Sequence, residues 1–279
     1  MIDDWSLKWI DAHVHIWTQD VNRYPASGFD VSTLEPKEFT PEWLFRYCRP
    51  FQVGKIVLVQ SVYSTDNSYM LDSARRYPGI FSVVGMIDHD TANIEEKMYE
   101  DKKAGVRAYR VILPMGNSEG FLDDIGYKRM FKIAAGTDQA ICLLSYPDGL
   151  SEINRICKDY EDTIIVIDHM ARIGEGNEIL DEHIDLLCNL SRYPNVYVKL
   201  SRFHALGNRH KEHEDLLPLI NRVIETFGQD RVMWGSDSPY QVVEESYSNS
   251  INLVRYNLGL SDSELSAVLS DTANKVFFN

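Results

Sequence analysis

The sequence predicts a (β/α)8 barrel, an α/β fold in a single domain spanning residues 1–279, and three observations carry that expectation. Eight short apolar runs recur along the chain, amphipathic stretches bounded by helix start and stop residues separate them, and the length suits one barrel-sized core. A doubly wound open sheet is the fallback arrangement for the same alternation.

The first run, Trp9-Ile10-Asp11-Ala12-His13-Val14-His15-Ile16-Trp17, alternates with period two. As a strand it sets Asp11, His13, His15 and Trp17 on one face and Ile10, Ala12, Val14 and Ile16 on the other. Thr40-Pro41-Glu42 then opens a helix, with Thr at the cap and Pro in the first turn. Residues 55–60 and 81–88 read as the second and third strands. Ala104-Gly105 closes a helix before the fourth strand at 106–113, and Ala135-Gly136 closes another before the fifth at 140–146. Residues 164–169 and 196–201 supply the sixth and seventh strands, and Phe227-Gly228 ends the helix before the eighth at 232–237. Ser261-x-x-Glu264 is a capping box that opens a last helix running to Val276. Strands this continuously apolar belong to a parallel sheet covered by helices. No repeat, low-complexity segment or Gly/Ser-rich linker divides the chain.

A formal net charge of -14 argues against nucleic acid or an anionic membrane as partner, because the field of the whole protein would repel both. Met1-Ile2-Asp3-Asp4-Trp5 lacks a basic segment followed by an apolar one, and no apolar run approaches spanning length, so a cytoplasmic protein is expected. Cys48, Cys142, Cys157 and Cys188 lack the spacing of a zinc knuckle or redox pair and are expected as buried thiols. Oligomeric state is not legible in the sequence.

In a (β/α)8 barrel the reactive groups stand where the strands end. Here the first strand closes on His13 and His15, the sixth on Asp168-His169 and the eighth on Asp237, with the sixth and eighth taken as neighbours closing onto the first. Each histidine alone reads as an ordinary core or rim residue, and Asp237 alone as a turn residue before Pro239. Together, three imidazoles and one carboxylate from distant parts of the chain point to a hydrolytic site.

Ile10-Asp11-Ala12-His13-Val14-His15, Ile167-Asp168-His169 and Met233-Trp234-Gly235-Ser236-Asp237-Ser238-Pro239 resemble the amidohydrolase superfamily, in particular its amidohydrolase 2 branch. Leu58-Val59-Gln60-Ser61, Gly105-Val106-Arg107-Ala108-Tyr109-Arg110 and Val198-Lys199-Leu200-Ser201 are similar to stretches in sugar lactonases of the fuconolactonase kind and in 2-pyrone-4,6-dicarboxylate lactonase. The similarity spans nearly the whole chain and implies a barrel whose active-site set is His13, His15, His169 and Asp237. The chain departs from the two-metal members, which carry a bridging carboxylated Lys or Glu on strand four and a further His on strand five. Arg110-Val111-Ile112-Leu113 and Ser145-Tyr146-Pro147 stand there instead, so a binuclear centre is not expected.

The expected activity is hydrolysis of a small sugar-acid or dicarboxylate-type lactone, with Asp237 activating water while His13, His15 and His169 polarise the carbonyl directly or through an ion. The same four residues could hold one Zn²⁺ or Mn²⁺ in a mononuclear site, and a metal-free route stays equally open. Arg110, Tyr146, Arg172, Arg202, His204, Trp17 and Tyr240, at or just beyond strand ends, are the expected substrate contacts. An arginine cluster at the mouth would favour an acidic lactone, although each arginine alone suits a rim salt bridge equally well. Two alternatives share the scaffold: a metal-dependent decarboxylase of an unsaturated or aromatic acid, and a catalytically silent metabolite-binding barrel.

Overall fold

A computed structural model describes residues 7–26, 30–61, 64–210 and 212–279, and the Met1 to Trp5 segment read above lies outside them. Eight parallel strands form one sheet in sequence order: β1 (Trp9–Val14), β2 (Val53–Val59), β3 (Phe81–Gly85), β4 (Val106–Ile112), β5 (Ala140–Leu144), β6 (Ile165–Ile167), β7 (Val196–Leu200) and β8 (Val232–Trp234). Helices α1 (Pro41–Cys48), α2 (Ser68–Arg76), α3 (Ile94–Ala104), α4 (Ile125–Thr137), α5 (Leu150–Asp159), α6 (Asp181–Cys188), α7 (Leu217–Phe227) and α8 (Tyr240–Glu244) follow the strands in turn. The fold is the (β/α)8 barrel that the alternation predicts. One detail of the expected order is corrected. β6 and β8 are not neighbours, because β7 lies between them and brings Lys199 into the barrel.

The barrel closes where β8 meets β1. His15 donates its backbone N–H to the Ser238 carbonyl at 2.7 Å, Asp237 donates to the His13 carbonyl at 2.9 Å, and Ser236 donates to Asp11 Oδ1 at 2.8 Å. Gly235 permits this approach: a Cβ there would lie 2.8 Å from both the backbone nitrogen and the Cβ of His13.

Ile10, Ala12, Val57, Val84, Ala108 and Met233 pack inside the barrel, and Ala273, Val276 and Phe277 of the C-terminal helix join them. That helix runs from the Ser261–Glu264 capping box through Asp262–Ser266, Ala267–Asp271 and Thr272–Phe277. It anchors against the beginnings of the strands, where Ser82 Oγ donates to the Phe277 carbonyl at 2.6 Å and Lys55 Nζ to Asn274 Oδ1 at 2.8 Å. This end is plugged, so the opposite mouth is left for chemistry. All four cysteines are buried free thiols, and no helix among the described residues is long and apolar enough to cross a membrane.

Candidate active site

The expected alternation of β1 breaks inside the strand, which corrects the assignment of its faces. Asp11 pairs with Ile56 and Val14 with Leu58, so three steps along β1 match two along β2. Such a bulge reverses side-chain parity. Asp11 therefore points outward, where Tyr247 Oη donates to its Oδ2 at 2.7 Å, while His13 and His15 both turn into the barrel mouth. Burial pushes the Asp11 carboxyl up to about 6 against the donors that favour its ionised form.

His169 and Asp237 are not strand residues, although the apolar runs predict them so. β6 ends at Ile167 and β8 at Trp234, and both side chains are delivered by left-handed backbone, with φ +56° at His169 and +64° at Asp237. Arg202, after β7, also sits at φ +67°, and the left-handed run continues from His169 through Met170 and Ala171 to Arg172. Non-glycine residues adopt this region at a cost, and such strain gathers where a fold must aim side chains.

Three imidazole nitrogens face one carboxylate oxygen. Asp237 Oδ1 lies 3.7 Å from His13 Nε2, 3.4 Å from His15 Nε2 and 3.8 Å from His169 Nε2. Asp237 Oδ2 accepts from Arg202 Nη1 at 3.1 Å and lies 3.8 Å from His204 Nε2. Asp237 and all four histidines are buried. Burial raises the Asp237 carboxyl, but the facing imidazoles and the Arg202 guanidinium outweigh it and hold the group well below the usual carboxylate range. Burial, reinforced by Lys199, lowers His13 to about 3, and burial likewise lowers His169 well below the ordinary imidazole value.

A second ring of contacts orients the imidazoles. His15 Nδ1 meets the Val59 carbonyl at 2.7 Å and His169 Nδ1 meets Ser201 Oγ at 2.8 Å. Lys199 Nζ lies 3.3 Å from His13 Nδ1 and 3.1 Å from Asp168 Oδ1, and Arg110 Nε lies 3.3 Å from Asp168 Oδ2. Asp168 itself lies 3.5 Å from His13 Nδ1. Burial raises its carboxyl, yet Lys199, His13 and Arg110 hold it well below the ordinary value.

The donor set fits a single divalent ion. A carbonyl can only accept, so His15 Nδ1 carries a proton, and whenever Nε2 is bare its lone pair faces Asp237 Oδ1 at 3.4 Å. Two acceptors facing each other need a proton or a cation between them. His13 Nε2 is buried without a hydrogen-bond partner. His13, His169 and Asp237 offer donor atoms that all lie within 4.8 Å of one another, and His15 stands outside this group of three.

A cleft of about 230 Å³ opens above these groups, lined by His15, His169, Asp237, Arg110, Arg172, Arg202, His204 and Tyr240. The remaining expected contacts lie off its wall. Tyr146 holds Arg172, accepting from its Nη1 at 2.5 Å beneath the guanidinium. Trp17 donates to the Pro36 carbonyl at 2.9 Å, borders a smaller neighbouring cavity and lies 5.8 Å from the Tyr240 ring, which lines the cleft. Asp168 and Lys199 are neighbours of the site that the strand-end pattern does not mark as site residues. The available signal was a charged residue inside the apolar run Val196-Tyr197-Val198-Lys199-Leu200, since a buried lysine requires a partner.

Residues 10–278 match the amidohydrolase family Amidohydro_2, and the chain belongs to it. It is 24% identical to an L-fucono-1,5-lactonase of Burkholderia multivorans, over 96% of this chain and 95% of that protein. A 4-sulfomuconolactone hydrolase of Hydrogenophaga intermedia is 24% identical, over 82% of this chain and 74% of that one. Among solved structures, a Burkholderia multivorans amidohydrolase crystallised with bound zinc superposes with a TM-score of 0.82 at 22% identity, covering 96% of this chain and 98% of that one.

Proposed function

We propose that this chain opens a small lactone ring by hydrolysis, with Asp237 as general base. The observation that carries this reading is one buried carboxylate oxygen ringed by His13, His15 and His169 on the floor of a cleft at the open end of the barrel. The lactone-hydrolysing relatives support the reaction class.

Lactone hydrolysis requires a base for water, a polariser for the carbonyl and a proton for the departing alkoxide. Asp237 is held ionised and takes a proton from water. His169, whose Nδ1 can accept from Ser201 Oγ, presents Nε2–H to the carbonyl oxygen as it gathers charge, and protonated Asp237 returns its proton to the ring oxygen as the ring opens. Arg202 holds Oδ2 of Asp237, which keeps Oδ1 turned toward the imidazoles. Arg172, His204 and Tyr240 line the cleft and contact the bound ring, while Arg110 serves chiefly to neutralise Asp168. His13, His169 and Asp237, with His15 beside them, would hold one Zn²⁺ or Mn²⁺, which when bound supplies Lewis-acid polarisation of the carbonyl and a more acidic water.

A proton-release assay across sugar lactones and unsaturated acidic lactones tests this reading, run in parallel with carbon dioxide detection on aromatic and unsaturated acids. Ring opening without decarboxylation is the expected result. Carbon dioxide release would replace the reading with decarboxylation, and binding without turnover on either panel would replace it with a silent binding barrel.

A further inference from the structure

The arginines at the mouth invite the expectation of an anionic substrate, but each already faces a carboxylate of the chain. Arg110 Nε lies 3.3 Å from Asp168, and Arg202 Nη1 is 3.1 Å from Asp237. Glu175 serves the remaining positions. Its Oε1 lies 3.4 Å from Arg202 Nη2, and its Oε2 lies 3.4 Å from Arg172 Nε. Glu175 does not belong to the cleft wall, whereas Arg172 and Arg202 do, so one carboxylate contacts both guanidinium groups from behind and, together with Asp237, balances their two charges. Glu244, on the wall, adds a further negative charge.

The backbone fixes Glu175 in this place. It sits between Gly174 and Gly176, at φ +93° and +99°, and its N–H donates to the Arg172 carbonyl at 3.1 Å. Gly207 donates to the Gly174 carbonyl at 2.9 Å, and a Cβ on Gly174 would lie 3.0 Å from the Gly207 nitrogen. The turn is docked against a neighbouring loop. Arg172 Nε and Arg202 Nε are buried without hydrogen-bond partners, so this pair retains donor capacity that the 3.4 Å contacts to Glu175 leave unused.

We propose that Glu175 is a specificity-determining residue: by contacting both Arg172 and Arg202 from behind the cleft wall and, with Asp237, balancing their charges, it selects uncharged, hydroxyl-bearing lactone rings over rings that carry a carboxylate. This rests on the lactone-hydrolase reading and narrows its substrate class. Without the Glu175 charge, the same two guanidinium groups would face the cleft as a clamp for a substrate carboxylate.

The test compares glucono-1,5-lactone with glucaro-1,5-lactone, which differ only by a hydroxymethyl or a carboxylate at one carbon, on the wild type, E175Q and E175A. The wild type should favour the neutral ring in kcat/KM. Both variants should raise the ratio of glucaro- to gluconolactone by about tenfold or more, mainly through KM, as expected when a carboxylate gains charged hydrogen bonds. Calorimetric binding of glucarate and of uncharged glucitol gives a second readout that needs no turnover. Glucarate should bind about tenfold more tightly to folded E175Q than to the wild type, with glucitol unchanged. An unmoved ratio and unmoved glucarate affinity overturn the role of Glu175, as does a wild type that prefers the carboxylated ring. If no lactone turns over, the lactone reading fails, and the glucarate comparison still decides what Glu175 does.

Discussion

His13 and Asp237 are joined twice: Asp237 donates its backbone N–H to the His13 carbonyl at 2.9 Å, and its Oδ1 faces His13 Nε2 at 3.7 Å. Barrel closure and the ring of imidazoles around Asp237 are therefore one arrangement. The contact that seals β8 to β1 also sets the distance between an imidazole and the carboxylate it serves, so an error in closure becomes an error in the site.

Gly235 makes the closure possible, which gives a direct test. A methyl group at this position would press on the His13 backbone, so G235A should destabilise the fold by about 1–3 kcal/mol in urea unfolding and reduce turnover even where the variant remains folded. Stability and kcat equal to the wild type would show that the strand ends can separate without consequence.

Lys199 is fully buried against Asp168 and His13. K199M keeps the length of the side chain but leaves Asp168 with less compensation, for a predicted loss of about 3–5 kcal/mol. The double variant K199M/D168N should recover part of that loss, because it removes the stranded charge as well. A single variant as stable as the wild type would mean that Lys199 is not neutralising Asp168.

Acid should weaken the metal-free protein. His13 takes up a proton near its ordinary value of 6.5 in the unfolded chain but only near 3 when folded, so between those values the unfolded state binds more protons and stability rises with pH. His169, also lowered by burial, acts in the same direction, while Asp11, raised to about 6, opposes it over part of the window. The melting temperature should fall as pH drops from about 6.5 toward 4, and the slope should be shallower in H13N. A melting temperature that holds steady or rises on acidification would contradict neutral, buried imidazoles.

Elemental analysis of the purified chain should find one zinc or manganese ion per molecule, removed by a chelator along with most of the activity and absent from H13N and H169N. Full activity in protein shown to be metal-free would assign carbonyl polarisation to the imidazoles alone.

The barrel, and the meeting of His13, His15, His169 and Asp237 at its mouth, are legible in the sequence because both depend on coarse signals: apolar runs at regular spacing, and polar residues that terminate them. His169 and Asp237 were found as strand ends even though the strands stop two residues or more before them, because left-handed turns carry both side chains into the mouth that the strands define. The outward turn of Asp11 was not legible, since a bulge between Asp11 and Val14 leaves no mark in a hydrophobic pattern that is apolar on one side and polar on the other. The pairing of Arg172 and Arg202 through Glu175 was equally hidden, because an arginine that meets substrate and one that meets a carboxylate of its own chain look alike in sequence.

The most direct test of the central claim is the rate of lactone ring opening by D237N beside the wild type, under identical metal loading. Asn keeps the shape of Asp237 but cannot accept the proton of water, so kcat should fall by about 10²–10⁴ while the substrate still binds. A D237N enzyme that opens the ring within a few-fold of the wild-type rate would contradict the account.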